Sequence, residues 1–187
     1  MTSSGTKPAI VETFESSDRD LTPQLLRIKE AQVDVMIVAG DPPNHVIAVQ
    51  QIRQLGLGMK VVLSNGGVLP STIKLYPAGA ADGIYGTVDS LPARDPAQKE
   101  WTDRYRAMFN VDADYSAAEY YDGVRMLAIA IAKVGTDKKA LVNELRMVAT
   151  YKGIGNTYSF ANKGDGGQGA AIVEIQNGQL TLAANVQ

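Results

Sequence analysis

Residues 18–57 read DRDLTPQLLRIKEAQVDVMIVAGDPPNHVIAVQQIRQLGL and combine a helix, a buried strand, a polar loop and a second helix. Thr22 suits a helix N-cap and Pro23 suits a first helical position, so the pattern predicts that the first helix starts there. Residues 33–38 form a nearly continuous apolar run, which is typical of a strand covered on both faces. Glycine and prolines then break the run before apolar residues recur at helical spacing. Together these features predict an α/β fold with a parallel sheet between helices.

Two polar loops follow successive predicted strands and form the candidate ligand site. Asp41 comes directly after the first apolar run, and Ser64 and Asn65 come after a second run at residues 60–63. In open α/β sheets, ligands lie beyond the carboxyl ends of the strands, so the two loops should face a common space. An ionised Asp41 could hold an ammonium or hydroxyl group, but all three side chains also suit ordinary turns. His45, in the first turn of the second helix, is interpreted as a solvated or loosely packed side chain, with ligand binding as the lesser alternative.

The composition of the 187 residues excludes several classes of function. The chain has no cysteine and a single histidine, which argues against disulfides, thiolate or histidine-rich metal sites and a Ser/His/Asp hydrolase. A formal net charge of -2 argues against a nucleic-acid partner. Residues 164–169, GDGGQG, match the dinucleotide pattern G-x-G-x-x-G, but a strand rather than a helix is predicted after them. We therefore predict no cofactor, no metal site and no enzymatic activity.

The remainder of the chain predicts further strands and three helices. Residues 9–14 could form an opening strand, and residues 82–87, DGIYGT, predict another whose glycines indicate a bend or a close backbone approach. After a linker at residues 88–95, helices are predicted from Pro96, from near Tyr115 and from a cap at Thr136 or Asp137. The residues predicted to pack on the second of these helices are Tyr120, Tyr121, Val124, Ala128 and Ile131. An Asn-Gly pair near the end of the chain predicts a two-residue hairpin.

Four groups of residues together follow the pattern of one protein family. They are DLTPQLLRIKEAQVDVMIVAG (20–40), AADGIYGT (80–87), YYDGVRMLAIAIAKVG (120–135), and YKGIGNTYSFANKGD (151–165) with AAIVEIQNGQL (170–180). In this order they resemble a helix and strand of the second lobe, the strand that leaves that lobe, a first-lobe helix, and the closing region. The chain thus resembles the second half of a type I periplasmic binding protein of the branched-chain amino-acid transporter family.

This resemblance implies a Venus-flytrap binder, in which two α/β lobes joined by hinge strands close on a small ligand. The matching positions are Asp41, Pro42, Ser64 and Asn65 for ligand binding, and Gly86 and Thr87 for the hinge. Amino-acid binders of the family place an aromatic residue in the first loop and a carboxylate in the second. The departure from that pattern at Asp41 and Asn65 leaves an amino acid, an aromatic acid, an amide or another small metabolite open as the ligand.

The resemblance also implies an N-terminally truncated chain, because the family's first half has no counterpart in it. Residues 1–87 match part of the second lobe, residues 88–150 match part of the first lobe, and residues 151–187 match returning strands with a C-terminal hairpin. An incomplete lobe would expose apolar surface, so a homodimer or a complementing N-terminal half is expected. A membrane permease as partner and a periplasmic location are implied as well, although residues 1–20 carry no secretory signal pattern.

The leading hypothesis is therefore a non-enzymatic solute-binding component of an ABC transporter, truncated or split, for an amino-acid-like, aromatic or organic-acid solute. A ligand-sensing regulatory domain on the same fold is the alternative. An α/β enzyme is the weakest hypothesis, because only Asp41 and His45 could supply a base in the strand-end loops.

Overall fold

The computed structural model describes residues 7–89, 96–160, 167–168 and 170–186. The chain divides into a first unit, Met1–Thr87 with Ile172–Ala183, and a second unit, Val88–Ala171 with Ala184–Gln187. The helices are α1 (Thr22–Glu30), α2 (Pro42–Gln54), α3 (Pro70–Ile73), α4 (Pro96–Phe109), α5 (Tyr115–Val134) and α6 (Lys138–Arg146). The strands are β1 (Val35–Val38), β2 (Lys60–Leu63), β3 (Tyr85–Val88), β4 (Tyr151–Lys152), β5 (Thr157–Tyr158), β6 (Gly167–Gln168), β7 (Ala170–Gln176) and β8 (Gln179–Val186).

A five-stranded sheet with the strand order β1-β2-β3-β7-β8 forms the centre of the first unit. β1, β2 and β3 are parallel, and Val35 of β1 lies opposite Lys60 of β2. β7 and β8 are joined at Asn177 and Gly178, whose φ angles of 52° and 72° suit a two-residue hairpin turn. The predicted parallel sheet and C-terminal hairpin are therefore confirmed.

The loops that follow β1 and β2 lie at the same end of this sheet. The chain leaves β1, passes through α2 and returns to the parallel β2, so both strands end on one edge. A 3₁₀ turn at Asn65–Val68 follows β2 directly. The fully buried aliphatic side chains of the first unit include Val49, Ile52, Leu63, Val68, Ile84, Val173 and Ile175. This buried core lies beneath the two loops.

β1 is covered on one face only, and the prediction that both faces are buried is wrong. Met36 and Val38 are buried, but Val35 is 49% exposed and Ile37 is 72% exposed. β1 is the edge strand of the sheet, so within the part of the chain that the structure describes it has one neighbouring strand and one covered face. The apolar run indicated a strand correctly, but it did not reveal which face other elements would cover.

Residues 9–14 form no strand, contrary to the prediction. This irregular segment is held by side chains rather than by a backbone ladder. Arg27 of α1 donates hydrogen bonds to the Glu12 carboxylate from Nε at 2.9 Å and from Nη2 at 2.6 Å, which lowers the pKa of Glu12. Gln24 donates to the backbone carbonyl of Thr13 at 3.2 Å. The segment is thereby fixed beside α1 and leads to the carboxyl end of β1.

The second unit contains α4, α5 and α6 together with a small antiparallel sheet of order β4-β5-β6. Asp114 caps α5 by accepting a hydrogen bond from the amide of Ala117 at 2.8 Å. Asp137 caps α6 in the same way through the amide of Ala140 at 2.9 Å, which identifies it as the cap where Thr136 was the alternative. The single tryptophan, Trp101, is buried on α4.

The buried face of α5 differs from the predicted one. The residues of α5 that are buried are Tyr115, Ala118, Asp122, Met126 and Ala130. Val124 is 67% exposed and Tyr120 is 78% exposed, and both Ala128 and Ile131 also lie on the exposed side. The prediction of a buried Val124 face was wrong because α5 is apolar on two opposite sides, and periodicity alone cannot tell which side faces inward.

The dinucleotide-like segment at residues 164–169 lies outside the described residues except for β6. The strand predicted to follow it is present as β7. Among the described residues, no helix has the length and apolarity needed to span a membrane.

Candidate functional site

A cleft of about 370 Å³ opens at the carboxyl end of β1 in the first unit. The residues that line it are Glu12, Thr13, Phe14, Ser16, Ala39, Gly40, Asp41 and Asn44. Asp41 was predicted as a site residue from its position after a strand, and it does lie in this cleft. The opposite wall, residues 12–16, was not predicted, because an irregular segment carries no periodic pattern.

The Asp41 carboxylate is accessible in the cleft. Asp41 is the N-cap residue of α2, but its side chain makes no capping hydrogen bond. Its backbone carbonyl instead accepts hydrogen bonds from the amides of Asn44 and His45 at 2.9 and 3.2 Å. The Ser16 hydroxyl donates to Asp41 Oδ2 at 3.3 Å, which is a long contact. The carboxylate therefore retains acceptor capacity for a bound ammonium or hydroxyl group.

An aromatic side chain packs against the backbone of the first loop. A Cβ atom at Gly40 would lie 3.0 Å from Cζ of Phe14 and 3.3 Å from Cβ of Asn44, so a side chain there would require the Phe14 ring to shift. Asn44 is buried and donates from Nδ2 to the Ser16 carbonyl at 3.3 Å. The site thus combines an aromatic ring with a carboxylate.

The second predicted loop lies directly beside the first. The amide of Ser64 donates to the carbonyl of Val38 at 2.9 Å, and a Cβ at Gly66 would lie 3.5 Å from Cδ of Pro42. Asn65 is exposed at the start of the 3₁₀ turn. The structure therefore brings the two loops into contact, but the cleft lining does not include Pro42, Ser64 or Asn65, all of which are described residues.

His45 is fully buried, so the interpretation of a solvated side chain is wrong. Its Nδ1 lies 2.9 Å from the carbonyl oxygen of Asp41, and its Nε2 lies 3.0 Å from the hydroxyl of Ser64. Because a carbonyl oxygen can only accept, Nδ1 carries the proton and Nε2 accepts from the Ser64 hydroxyl. Burial lowers the pKa of His45 despite the nearby carbonyl groups and Asp41.

The residues predicted for the hinge, Gly86 and Thr87, lie within β3. Gly86 is buried, and a Cβ there would overlap Cγ1 of Val68 in the 3₁₀ turn. Gly86 therefore marks a close approach between β3 and the second loop. Thr87 is exposed and is the last residue of the first unit before Val88.

The second unit holds a buried carboxylate, Asp122 of α5. It accepts hydrogen bonds from the amides of Ile154 and Gly155 at 2.8 and 2.7 Å and from the hydroxyl of Tyr158 at 3.1 Å. With three donors satisfied, this carboxylate serves the fold rather than a ligand. Partial burial, with smaller contributions from neighbouring carboxylates, raises the pKa of Glu119 to about 7. The described residues contain no group of three or more carboxylate or histidine side chains that could hold a metal ion.

The chain is similar to solute-binding proteins of known sequence. It is 25% identical over 161 residues to the leucine-, isoleucine-, valine-, threonine- and alanine-binding protein of Pseudomonas aeruginosa. The matched region covers 86% of this chain and 43% of that relative. The Leu/Ile/Val-binding protein homolog 2 of Brucella abortus is 24% identical over 166 residues with the same coverage. The chain thus spans less than half the length of these curated relatives.

Solved structures show the same fold. A leucine-binding protein from Thermotoga maritima superposes with a TM-score of 0.84 at 23% identity, over 92% of this chain and 50% of that one. A solute-binding protein of an ABC transporter from R. palustris, in complex with benzoate, superposes with a TM-score of 0.75 at 16% identity. The superposition covers 90% of this chain and 47% of that one. The α/β fold class and the resemblance to type I periplasmic binding proteins are confirmed. The sequence profile of the periplasmic binding protein family matches residues 1–179, so this chain belongs to that family.

Proposed function

We propose that the chain forms the ligand-binding wall of a solute-binding protein for a small amino-acid-like or organic-acid solute. The observation that carries this proposal is the Asp41 carboxylate, which lines the cleft at the carboxyl end of β1 without capping its own helix. Phe14 supplies an apolar surface in the same cleft. Relatives named for leucine, isoleucine, valine, threonine and alanine support an amino-acid-like solute, and the structural neighbour with benzoate supports an aromatic acid.

Asp41 favours a solute that carries an ammonium or hydroxyl group. Its oxygens can accept hydrogen bonds from such a group, whereas a carboxylate of the solute would be repelled from it. An organic acid would therefore bind with its carboxylate turned away from Asp41. In the proposed arrangement Ser64 and Asn65 contact the solute from the neighbouring loop, with Pro42 between the loops. Gly86 and Thr87 act as a hinge, which the division of the chain after Thr87 supports. Solute affinity that is higher in a closed state would then drive closure.

Replacing Asp41 with Asn tests the binding role. We expect Asp41→Asn to weaken binding of ammonium-bearing solutes roughly 10- to 100-fold, because a charge-assisted hydrogen bond is lost. Isothermal titration calorimetry with leucine, valine, threonine, alanine and benzoate provides the measurement. Asp34→Asn is the matched control, since Asp34 is an exposed carboxylate at the opposite end of the same strand. Equal affinities of Asp41→Asn and the wild-type chain for a bound amino acid would exclude the role, and no binding by the wild-type chain would exclude the proposal for these solutes.

The transport assignment has consequences for location and partners. A solute-binding component would act in the periplasm and deliver its solute to a membrane permease, without catalysing a reaction. The regulatory alternative on the same fold requires the same cleft, but its ligand would change the activity of a signalling partner. Delivery of a radiolabelled solute to a reconstituted permease separates the two roles.

We also propose that a first-lobe segment of the same fold covers the outer face of α5. This face carries an apolar stripe of Tyr120, Val124, Leu127 and Ile131, which are 78%, 67%, 41% and 38% exposed. Spacings of four, three and four residues align them along the helix, opposite the buried Asp122 and Met126. A helix that is apolar on both sides is normally buried on both sides. The relatives are about twice as long as this chain. A segment equivalent to the part of the relatives that this chain does not match would cover the stripe.

Sedimentation velocity tests whether the stripe is an interface. We expect the chain alone to self-associate without a fixed stoichiometry, and the double variant Val124→Lys/Leu127→Lys to be monomeric with little change in the free energy of unfolding. Leu26→Lys is the control, because Leu26 is a similarly exposed leucine on α1, at 42% exposure. A monodisperse wild-type monomer would contradict the need for a covering segment. A discrete dimer that the double variant abolishes would identify a second copy as the occupant instead.

A further inference from the structure

We propose that His45 is a positioning residue that couples the two ligand loops, so that its neutral ring sets where the second loop stands relative to Asp41. The inference rests on the proposed function, because it concerns the same cleft. His45 belongs to the first turn of α2 and is fully buried. Its two ring nitrogens contact different loops: Nδ1 meets the Asp41 carbonyl at 2.9 Å, and Nε2 meets the Ser64 hydroxyl at 3.0 Å.

The hydrogen-bond roles of the ring are determined by its partners. The Asp41 carbonyl cannot donate, so Nδ1–H must donate to it, and Nε2 is then free to accept from the Ser64 hydroxyl. Ser64 is itself fixed at the end of β2, because its amide donates to the Val38 carbonyl at 2.9 Å. A neutral imidazole thus satisfies one acceptor in the first loop and one donor in the second.

The 3₁₀ turn of the second loop also packs on the ring. A Cβ at Gly67 would lie 2.7 Å from Cδ2 of His45, which is closer than side-chain atoms normally approach. The outer side of this turn is held by hydrogen bonds from Thr72 Oγ1 to the Gly66 carbonyl at 2.8 Å and from the Tyr76 hydroxyl to the Gly67 carbonyl at 2.7 Å. The turn is therefore clamped between the His45 ring and the segment containing α3. Because the turn begins at Asn65, the position of Asn65 depends on the ring.

A sequence pattern could not reveal this coupling. A lone histidine beside two prolines and an asparagine resembles a solvated helix start. The informative signal is the combination of a histidine four residues after the strand-end Asp41 with a serine at the end of the next strand, which becomes visible only when β1 and β2 are neighbours. Burial lowers the pKa of the His45 ring, which supports the neutral form near pH 7.

The first test needs no ligand. Since His45 is the only histidine, a long-range ¹H–¹⁵N spectrum of the imidazole reports this residue without ambiguity. We expect a neutral ring protonated on Nδ1 at pH 7, and a shifted Nε2 resonance in Ser64→Ala. A ring protonated on Nε2, or rapid exchange between tautomers as in a solvated histidine, would overturn the proposal.

The second test measures whether the ring holds the loop. We expect His45→Gln and Ser64→Ala to increase hydrogen exchange at the amides of residues 65–68 about tenfold, with little change in β7. Thr181→Val is the control, because it removes a hydroxyl that donates to the Glu174 carbonyl at 3.1 Å in the same unit, away from the loops. Unchanged exchange at residues 65–68 in Ser64→Ala, or an equal increase throughout the first unit, would overturn the coupling. Ser64→Ala keeps the test decisive if His45→Gln fails to fold.

The third test connects the coupling to binding. We expect solute affinity to fall about tenfold in His45→Gln and at least as much in Ser64→Ala, which also removes the proposed contact of Ser64 with the solute. The double variant should bind little more weakly than Ser64→Ala alone, because His45→Gln breaks a connection that Ser64→Ala has already broken. Independent effects that multiply in the double variant would overturn the proposal. If the wild-type chain binds none of the solutes, the proposed function fails, whereas the ring spectrum and the exchange data still decide whether His45 couples the loops.

Discussion

Asp122→Ala is expected to lower the free energy of unfolding of the second unit by about 4 kcal/mol, because it leaves several buried donors without an acceptor. Asp122 accepts hydrogen bonds from the amides of Ile154 and Gly155 and from the hydroxyl of Tyr158. The carboxylate lies on α5, whereas its donors lie on and before β5, so it joins a helix to the small sheet. Urea unfolding followed by the fluorescence of Trp101 measures the effect, since the single tryptophan is buried in this unit.

Two further substitutions make this result specific. Asp122→Asn keeps one acceptor oxygen, but its amide NH₂ group faces a donor with which it cannot form a hydrogen bond. This substitution is therefore expected to lower the free energy of unfolding by about 2 kcal/mol. Asp103→Ala is the control, because Asp103 pairs with Lys99 on the exposed surface of α4 and should change stability by less than about 0.5 kcal/mol. A loss in Asp122→Ala no larger than in Asp103→Ala would show that water replaces the carboxylate without cost.

The same contact explains the glycines of the YKGIG segment. A Cβ at Gly153 would overlap the Asp122 carboxylate, and a Cβ at Gly155 would lie 3.0 Å from Cγ of Glu119. The chain must pass this close to α5 for the amides that follow Gly153 to reach the carboxylate. The inward face of α5 is therefore the one that carries Asp122.

The prediction of the buried face of α5 failed because a polar residue, Asp122, lies on that face. Apolar periodicity selected Val124 and Ile131, although the inward face is the one that contains Asp122. A polar side chain with satisfied partners is compatible with burial, but its partners lie more than 30 residues away along the chain. His45 was misjudged in the same way, since its partner Ser64 is adjacent only after β1 and β2 pair. Local patterns identify strands and helices, whereas long-range hydrogen bonds decide which polar residues are inside.

The position of the candidate site followed more directly from the sequence. The order strand, loop, helix, strand places Asp41 and Ser64 at one edge of a parallel sheet, and this rule holds whatever the surrounding packing. The wall of residues 12–16 could not be predicted, because its place depends on the Arg27–Glu12 pair and on the contact of Phe14 with Gly40. The strand order thus predicted the position of Asp41 in the candidate site, whereas the opposite wall depends on side-chain contacts.

Gly86→Ala is expected to destabilise the first unit by about 3 kcal/mol through overpacking. The added methyl group would overlap Cγ1 of Val68 and lie 3.1 Å from Cγ2 and 3.3 Å from the Leu63 carbonyl oxygen. Val68 is fully buried in the 3₁₀ turn, so it cannot move toward solvent without displacing that turn. Because the first unit contains no tryptophan, far-ultraviolet circular dichroism during urea unfolding provides the measurement.

A double-mutant cycle separates overpacking from a loss of backbone freedom at Gly86. Val68→Ala alone should cost about 2 kcal/mol by leaving a cavity. In Gly86→Ala/Val68→Ala the new methyl group occupies that cavity, so the loss should be at least about 1 kcal/mol smaller than the sum of the two single losses. Gly58→Ala is the matched control, since its Cβ would meet nothing within 4 Å and its backbone is outside the left-handed region. Strictly additive losses would mean that the added methyl group destabilises the unit through the backbone of Gly86 itself rather than through its contact with Val68.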